Sequence, residues 1–170
     1  MLRTSIIVIS LVLAATVLAA NVHFKHGHPL FTDTGLSLES SGALAGIGNG
    51  DLLLILSATA NVTATCTNPG GHQPPGHNPA PVTVTGTESI PASETKNGST
   101  SFDVFTDGPV TPIPGAPDCP NRHWTEDITS AAFTSATLTV QQPPGVTVLT
   151  LSCTFSPPTA DGPIASVTCS

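Results

Sequence analysis

Short runs of alternating apolar and polar residues, separated by glycine and proline, occur along most of the chain. The longest extends from Leu52 to Thr65, where a continuous apolar stretch passes into small residues alternating with threonine and asparagine. Its apolar first half is typical of a strand buried on both faces, so the pattern predicts a central strand. Three glycines and an Asn-Gly step in residues 43–51 predict a turn or bulge just before it.

Further short strands are predicted on both sides of this run. Before it, we expect strands at 22–28 and 36–40 with a turn at 29–35 between them. After it, the alternating segments that predict strands are 82–85, 100–106, 123–128, 132–141, 146–155 and 164–169. Inward side chains are expected at Phe102, Val104, Phe105, Leu138 and Val140. Proline lacks the amide donor that a central strand needs, so the proline-rich segments 68–81 and 107–120 are predicted loops.

Eight or nine short antiparallel strands, with no long segment of helical periodicity, predict an all-β fold. The preferred architecture is an immunoglobulin-like or related Greek-key β-sandwich. The cysteine and tryptophan spacing differs from that of antibody domains, because Trp124 follows Cys119 closely. The pattern therefore leaves the strand topology open.

The first twenty residues have the layout of a secretory signal peptide. A lone basic Arg3 precedes an apolar stretch at 6–18, which ends at the small residues Ala19 and Ala20. We expect a signal-peptide helix over 1–20 with cleavage near Ala20, and a single disulfide-linked domain over 21–170. The alternative is an uncleaved N-terminal anchor. No later apolar run reaches the length of about 20 residues that a membrane-spanning helix needs, so no membrane span is expected after cleavage.

Charge and composition narrow the expected partners. The whole chain carries a formal net charge of −7, and removal of Arg3 leaves three strong bases against eleven carboxylates, a net charge of −8. This acidic balance argues against a nucleic-acid partner. The signal peptide predicts a secreted protein that is extracellular or held at the cell surface.

The four cysteines all follow residue 20, and an even number in an exported chain predicts disulfides. In the expected C-terminal hairpin, centred on Asp161, facing residues have numbers that add up to 322. Cys153 and Cys169 would therefore lie directly opposite each other and form a disulfide. Cys66 and Cys119 then pair by elimination. A zinc site is disfavoured because no C-x-x-C or C-x-x-H spacing is present.

Five histidines are the candidates for binding a metal ion. His23, His26 and His28 lie within six residues, and they would be near a free amine if cleavage follows Ala20. His72 and His77 lie on one proline-rich loop. No nearby cysteine or carboxylate completes a coordination sphere, so we expect neither a bound metal nor another cofactor.

Catalytic patterns are weak in this chain, and the sequence predicts a protein that is not an enzyme. Glu126 and Asp127 are adjacent, so on a strand they would point to opposite faces, and Glu88 and Glu94 flank a loop. No Gly-x-Ser-x-Gly elbow is present for a serine hydrolase. An unrecognised secreted hydrolase remains the alternative from the enzyme class.

Three further residues are candidate surface features. Trp124 could stack on a sugar ring, but a tryptophan beside a disulfide more often fills the core, and that is the expectation here. Asn61 and Asn97 each begin a glycosylation sequon, which applies where the host glycosylates exported chains.

Several segments together form a recognisable combination: Cys66 to Gly71, Pro75 to Val82, Lys96 to Gly98, Cys119 to Asn121, and Trp124. The chain thereby resembles a family of uncharacterised small secreted microbial β-rich proteins, over roughly residues 35–155. The resemblance implies export and carries no activity, ligand or catalytic residue to this chain. The pair Cys153 and Cys169 lies largely outside the resemblance.

Taken together, these patterns predict a secreted, non-catalytic structural or adhesive module that binds an unknown extracellular partner or associates with itself. The alternative is a secreted protein that binds a metal ion or small ligand through its histidine-containing loops.

Overall fold

The computed structural model describes residues 21–73 and 80–170, so the predicted signal peptide lies outside the described residues. Within these ranges the chain is all-β, as predicted, with one single-turn 3-10 helix at Ala92–Glu94. The strands are β1 His23–Phe24, β2 Leu30–Asp33, β3 Leu38–Ala45, β4 Leu52–Thr67, β5 Val82–Ile90, β6 Ser99–Phe105, β7 Thr125–Gln141, β8 Thr147–Phe155, β9 Gly162–Pro163 and β10 Val167–Cys169. Within these residues, no helical segment has the length and hydropathy of a membrane span.

The strands form two antiparallel sheets. In sheet 1, β3 pairs with β6 along one edge and with β1 and β2 along the other, and β9 pairs with β2. Sheet 2 has the strand order β10-β8-β7-β4-β5. Its two longest strands, β4 and β7, have 16 and 17 residues and are longer than the strands predicted from the sequence.

The hydrophobic core lies between the sheets. Phe31 of sheet 1 and Phe155 of sheet 2 meet edge to face, with ring centroids 5.4 Å apart. On β4 the side chains alternate, so that Leu54 and Leu56 are fully buried while Leu53 and Ile55 are half-buried. The expectation that this apolar stretch is buried on both faces is therefore wrong, because only the inner face of sheet 2 is covered.

Most predicted strands form, and β4 lies between β5 and β7 as a central strand. The predicted turn at 29–35 instead contains β2, because Phe31 and Asp33 alternate into the core. The two strands predicted at 123–128 and 132–141 form the single strand β7. Its pairing with β4 contains two register shifts, which keep the long strand's buried face on the core.

Phe102 and Val104 are buried on β6 as expected, but Phe105 is 47% exposed, because neighbouring strand residues point to opposite faces.

The C-terminal hairpin has the predicted register, with Cys169 directly opposite Cys153. The connection between its strands is longer than the predicted turn. Gly162 and Pro163 cross to sheet 1, where they pair with β2 as β9. The second hairpin strand therefore begins at Val167 rather than at the predicted Ile164.

The edges of the two sheets meet at a corner formed by β5 and β6. The amide of Asp107 donates to the carbonyl of Thr85 at 2.9 Å. At Gly86, an added Cβ would lie 1.7 Å from the Phe105 carbonyl oxygen. The corner can close this tightly only because residue 86 has no side chain.

Candidate functional site

The loop between β6 and β7 is long and proline-rich, yet three contacts hold it against the sheets. A disulfide joins Cys119 to Cys66 of β4, with a Cα–Cα distance of 5.7 Å. The side chain of Ile113 is buried, with 3% exposure. The amide of Ile113 donates to Glu126 Oε2 at 3.2 Å. These anchors fix a loop that its proline content alone would leave extended in solvent.

This loop and the start of β7 enclose an open cleft of about 560 Å³, which we call the Trp124 cleft. Trp124 is half-buried in its wall, and its amide donates to the Asn121 carbonyl at 3.0 Å. The side-chain oxygen of Asn121 accepts a hydrogen bond from the His123 amide at 3.0 Å, which stabilises the turn before the tryptophan. The backbone that carries the Trp124 side chain is therefore fixed by hydrogen bonds on both residues of the turn.

Charged groups of both signs line the Trp124 cleft. Arg122 and Asp118 are exposed there, and Glu126 is half-buried. A guanidinium group has five donors and no acceptor, whereas a carboxylate has acceptors only. The cleft thus combines an aromatic surface with separate donor and acceptor groups, a combination typical of small-ligand sites.

The expectation that Trp124 fills the core is wrong, because the buried core cluster does not contain it. The nearness of Trp124 to Cys119 is visible in the sequence, but Arg122 and Asp118 were not predicted to line the same cleft. The sequence feature that indicates this cleft is the disulfide, because its bond to β4 folds the whole loop back on the sheet.

Both disulfides have the pairing expected from the sequence. Cys66 bonds to Cys119 and Cys153 to Cys169, which gives sequence separations of 53 and 16. The two bonds use all four cysteines of the sequence.

The histidines are placed at the protein surface. His23, His26, His28 and His72 are exposed, and His77 lies outside the described residues. His26 and His28 line a cavity of about 270 Å³ that is also lined by residues of β1, β2 and β3. Across residues 21–73 and 80–170, no group of three or more His, Cys, Asp or Glu side chains is placed to hold a metal ion.

The candidate acid pairs do not converge in the Trp124 cleft. Glu126 binds the Ile113 amide, while Asp127 Oδ2 accepts a hydrogen bond from the Thr67 hydroxyl at 3.0 Å. The two side chains thus hold different partners on different elements, as expected for neighbours on a strand.

Glu88 lies instead at the corner between β5 and β6, where it accepts a hydrogen bond from the Asp103 amide at 2.9 Å. Burial raises the pKa of Glu88, the Asp103 amide lowers it, and the negative charges of Asp103 and Glu94 raise it. Neither Glu88 nor Glu94 lines the Trp124 cleft.

The asparagines of the two sequons are both exposed. Asn61 lies on the outer face of β4, opposite Ala132 of β7. Asn97 lies in the tight turn before β6 and has a φ of 52°, a left-handed conformation that asparagine tolerates better than most residues.

The outer face of sheet 2 carries registered rows of hydroxyl groups. One row crosses all five strands and contains Thr83, Thr59, Ser135, Thr154 and Thr168. Threonine favours such half-exposed strand positions, so the row is explained by strand preference alone. We therefore assign the candidate site to the Trp124 cleft.

No protein-family model, curated protein or solved structure matches this chain.

Proposed function

We propose that this protein is an exported, non-catalytic interaction module that binds a neutral glycan in the Trp124 cleft. The observation that carries the proposal is the half-buried indole of Trp124, set in a cleft whose loop is tied to β4 by a disulfide. A site that is already rigid loses little conformational freedom on binding its ligand.

The polar groups of the cleft support a sugar as the ligand. Arg122 can only donate hydrogen bonds and Asp118 can only accept them. Each sugar hydroxyl does both, so a neutral sugar can satisfy both side chains while its C–H face rests on the indole. A strongly anionic ligand would meet the repulsion of Asp118 and of the acidic chain as a whole.

The arrangement of carboxylates supports binding without hydrolysis. Glycoside hydrolysis uses two acids that face each other across the scissile bond, typically about 5–10 Å apart. Of the two adjacent acids, Glu126 lines the cleft and holds the loop through the Ile113 amide, whereas Asp127 binds Thr67 outside the lining of the cleft.

The chain contains one tryptophan and no tyrosine, so its fluorescence reports directly on the cleft. We would titrate the mature protein with neutral oligosaccharides and follow the Trp124 emission, and measure retention on insoluble neutral polysaccharides. Saturable changes in emission are expected for at least one glycan. Calorimetry should then show at least a tenfold loss of affinity for Trp124→Ala.

The matched control is Phe105→Ala, which removes another partly exposed aromatic ring away from the cleft. It should bind like the wild type. Equal binding by Trp124→Ala and the wild type would contradict the proposal, as would an affinity confined to peptides.

Export and the finer fold type are part of the same proposal. We propose that the chain is secreted and that its signal peptide is cleaved after Ala20, which two disulfides support because such bonds persist mainly in oxidising compartments. N-terminal sequencing of secreted material tests the cleavage site.

We also propose a Greek-key β-sandwich related to immunoglobulin domains. In support, β4, β5 and β6 contact one another in space in the order in which they occur in the sequence. The next strand, β7, then returns to pair with β4 on its other side.

A further inference from the structure

We propose that the mature N-terminus, Asn21-Val22-His23, binds one copper(II) ion through four nitrogen atoms. The inference rests on the proposed cleavage after Ala20 and is independent of the glycan site. Such cleavage makes Asn21 the first residue and places a histidine third in the chain. The four donors are the Asn21 amine, the amides of Val22 and His23, and His23 Nδ1.

The donor set determines which metal is favoured. Four nitrogen donors in one plane suit copper(II), and nickel(II) more weakly, because these ions accept square-planar coordination. On binding, the two amide nitrogens and the protonated amine each release a proton to solvent as their nitrogen atoms form bonds to the metal. This site uses a single side chain, because its other three donors are the amine and two amides of the backbone.

In the folded chain, the His23 ring nitrogen that the chelate uses lies close to residue 21. His23 Nδ1 lies 2.8 Å from the carbonyl oxygen of Asn21, so the ring folds back over the N-terminal residue. Both Asn21 and His23 are exposed, which leaves the ring accessible to a metal ion. Chelation replaces this single contact by bonds from the amine, the two amides and the ring.

The neighbouring residue 46 leaves room for the N-terminal backbone. An added Cβ at Gly46 would lie 2.0 Å from the Asn21 carbonyl oxygen and 3.4 Å from His23 Nδ1. Gly46 has a φ of 74°, so the bare backbone is required there for conformation as well as for space.

Chelation requires a local rearrangement of the N-terminus. β1 has two residues and pairs with the end of β3 through His23–Ala45 and Phe24–Leu44. The side chain of Val22 is buried, with 6% exposure, and holds this segment against the core. Short terminal strands open readily, so the His23 amide can leave the sheet without unfolding it.

The test is calorimetric titration of the mature secreted protein with copper(II) chloride, with visible absorption recorded in parallel. We expect one ion per chain and the absorption band of square-planar nitrogen coordination. His23→Ala should lose at least a hundredfold in affinity and lose the band. His26→Ala and His28→Ala, which change exposed histidines of the same segment, should bind as the wild type does.

A second variant separates the chelate from ordinary surface histidine binding. A mature chain that retains Ala20 has every side chain in place but moves His23 to the fourth position, so it should lose the band. Equal binding by this variant, or binding that depends on His26 or His28 instead, would overturn the proposal. A natural N-terminus at any residue other than Asn21 would also overturn it, and would leave glycan binding at Trp124 unaffected.

Discussion

Gln142 and Gly48 exchange two hydrogen bonds although they lie 94 residues apart in the sequence. The Gly48 amide donates to Gln142 Oε1 at 3.0 Å, and Gln142 Nε2 donates to the Gly48 carbonyl at 3.1 Å. The same nitrogen donates to the Gly50 carbonyl at 2.8 Å. Because Gln142 is 9% exposed, one buried amide ties the loop before β4 to the turn between β7 and β8.

Replacing Gln142 by alanine should lower the free energy of unfolding by about 1–3 kcal/mol, since it removes the three hydrogen bonds that its side-chain amide makes to Gly48 and Gly50. Urea unfolding followed by circular dichroism measures the loss. Gln141→Ala is the control, because its half-exposed side chain accepts one hydrogen bond from the Gly145 amide. Equal losses for the two variants would show that the buried amide has no special role.

Gly86→Ala should destabilise the protein by about 3 kcal/mol or more, because the methyl group would overlap the Phe105 carbonyl and force the corner between the sheets apart. Gly50→Ala is the matched control, since its nearest neighbour would be 3.6 Å away. Thermal unfolding of both variants gives the comparison. A Gly86→Ala protein as stable as Gly50→Ala would contradict the tight contact of β5 with β6.

Removal of the Cys66–Cys119 disulfide by paired alanine substitutions should cost about 4 kcal/mol, against about 3 kcal/mol for Cys153–Cys169, because the first closes the longer loop. The two variants should also differ in fluorescence. Loss of the first bond frees the loop around Trp124 and shifts its emission to longer wavelength. Loss of the second should leave the folded protein's emission unchanged, and a shift in both variants would argue against the assigned role of the first.

Glu88→Gln should stabilise the protein at pH 7 and have little effect at pH 4. The pKa of Glu88 is raised in the folded state, first by burial and then by Asp103 and Glu94, while the Asp103 amide opposes the rise. The contribution of Glu88 to stability is therefore fully present below the ordinary pKa of 4.5 and is lost as pH rises through the raised value. Glutamine keeps an acceptor for the Asp103 amide but carries no charge.

Unfolding free energies at the two pH values check this prediction. Glu88→Ala is the control variant. It removes both the charge and the acceptor for the Asp103 amide, so it should not stabilise the protein at pH 7. A Glu88→Gln variant with the same pH profile as the wild type would refute the effect of the raised pKa.

The strands themselves were predictable, because the alternation of apolar and polar residues along a strand is a local property of the sequence. Leu52 to Thr65 needed no partner to be recognised, and the pairing of Cys153 with Cys169 followed from counting residues around Asp161. The turn predicted at 29–35 failed for the converse reason. Phe31 and Asp33 form a strand because β3 and β9 pair with them. No pattern in the adjacent sequence predicts those two partners.

By itself, the sequence determined the all-β class, both disulfides and most strand positions, since each depends on local periodicity or on counting. Only the tertiary structure decided that Trp124 lines a cleft with Arg122 and Asp118, and that Gly86 sits under the Phe105 carbonyl. Those contacts depend on how a cross-linked loop and two sheet edges fold back in space. The alternation of residues along one strand contains no information about which distant segment will cover it.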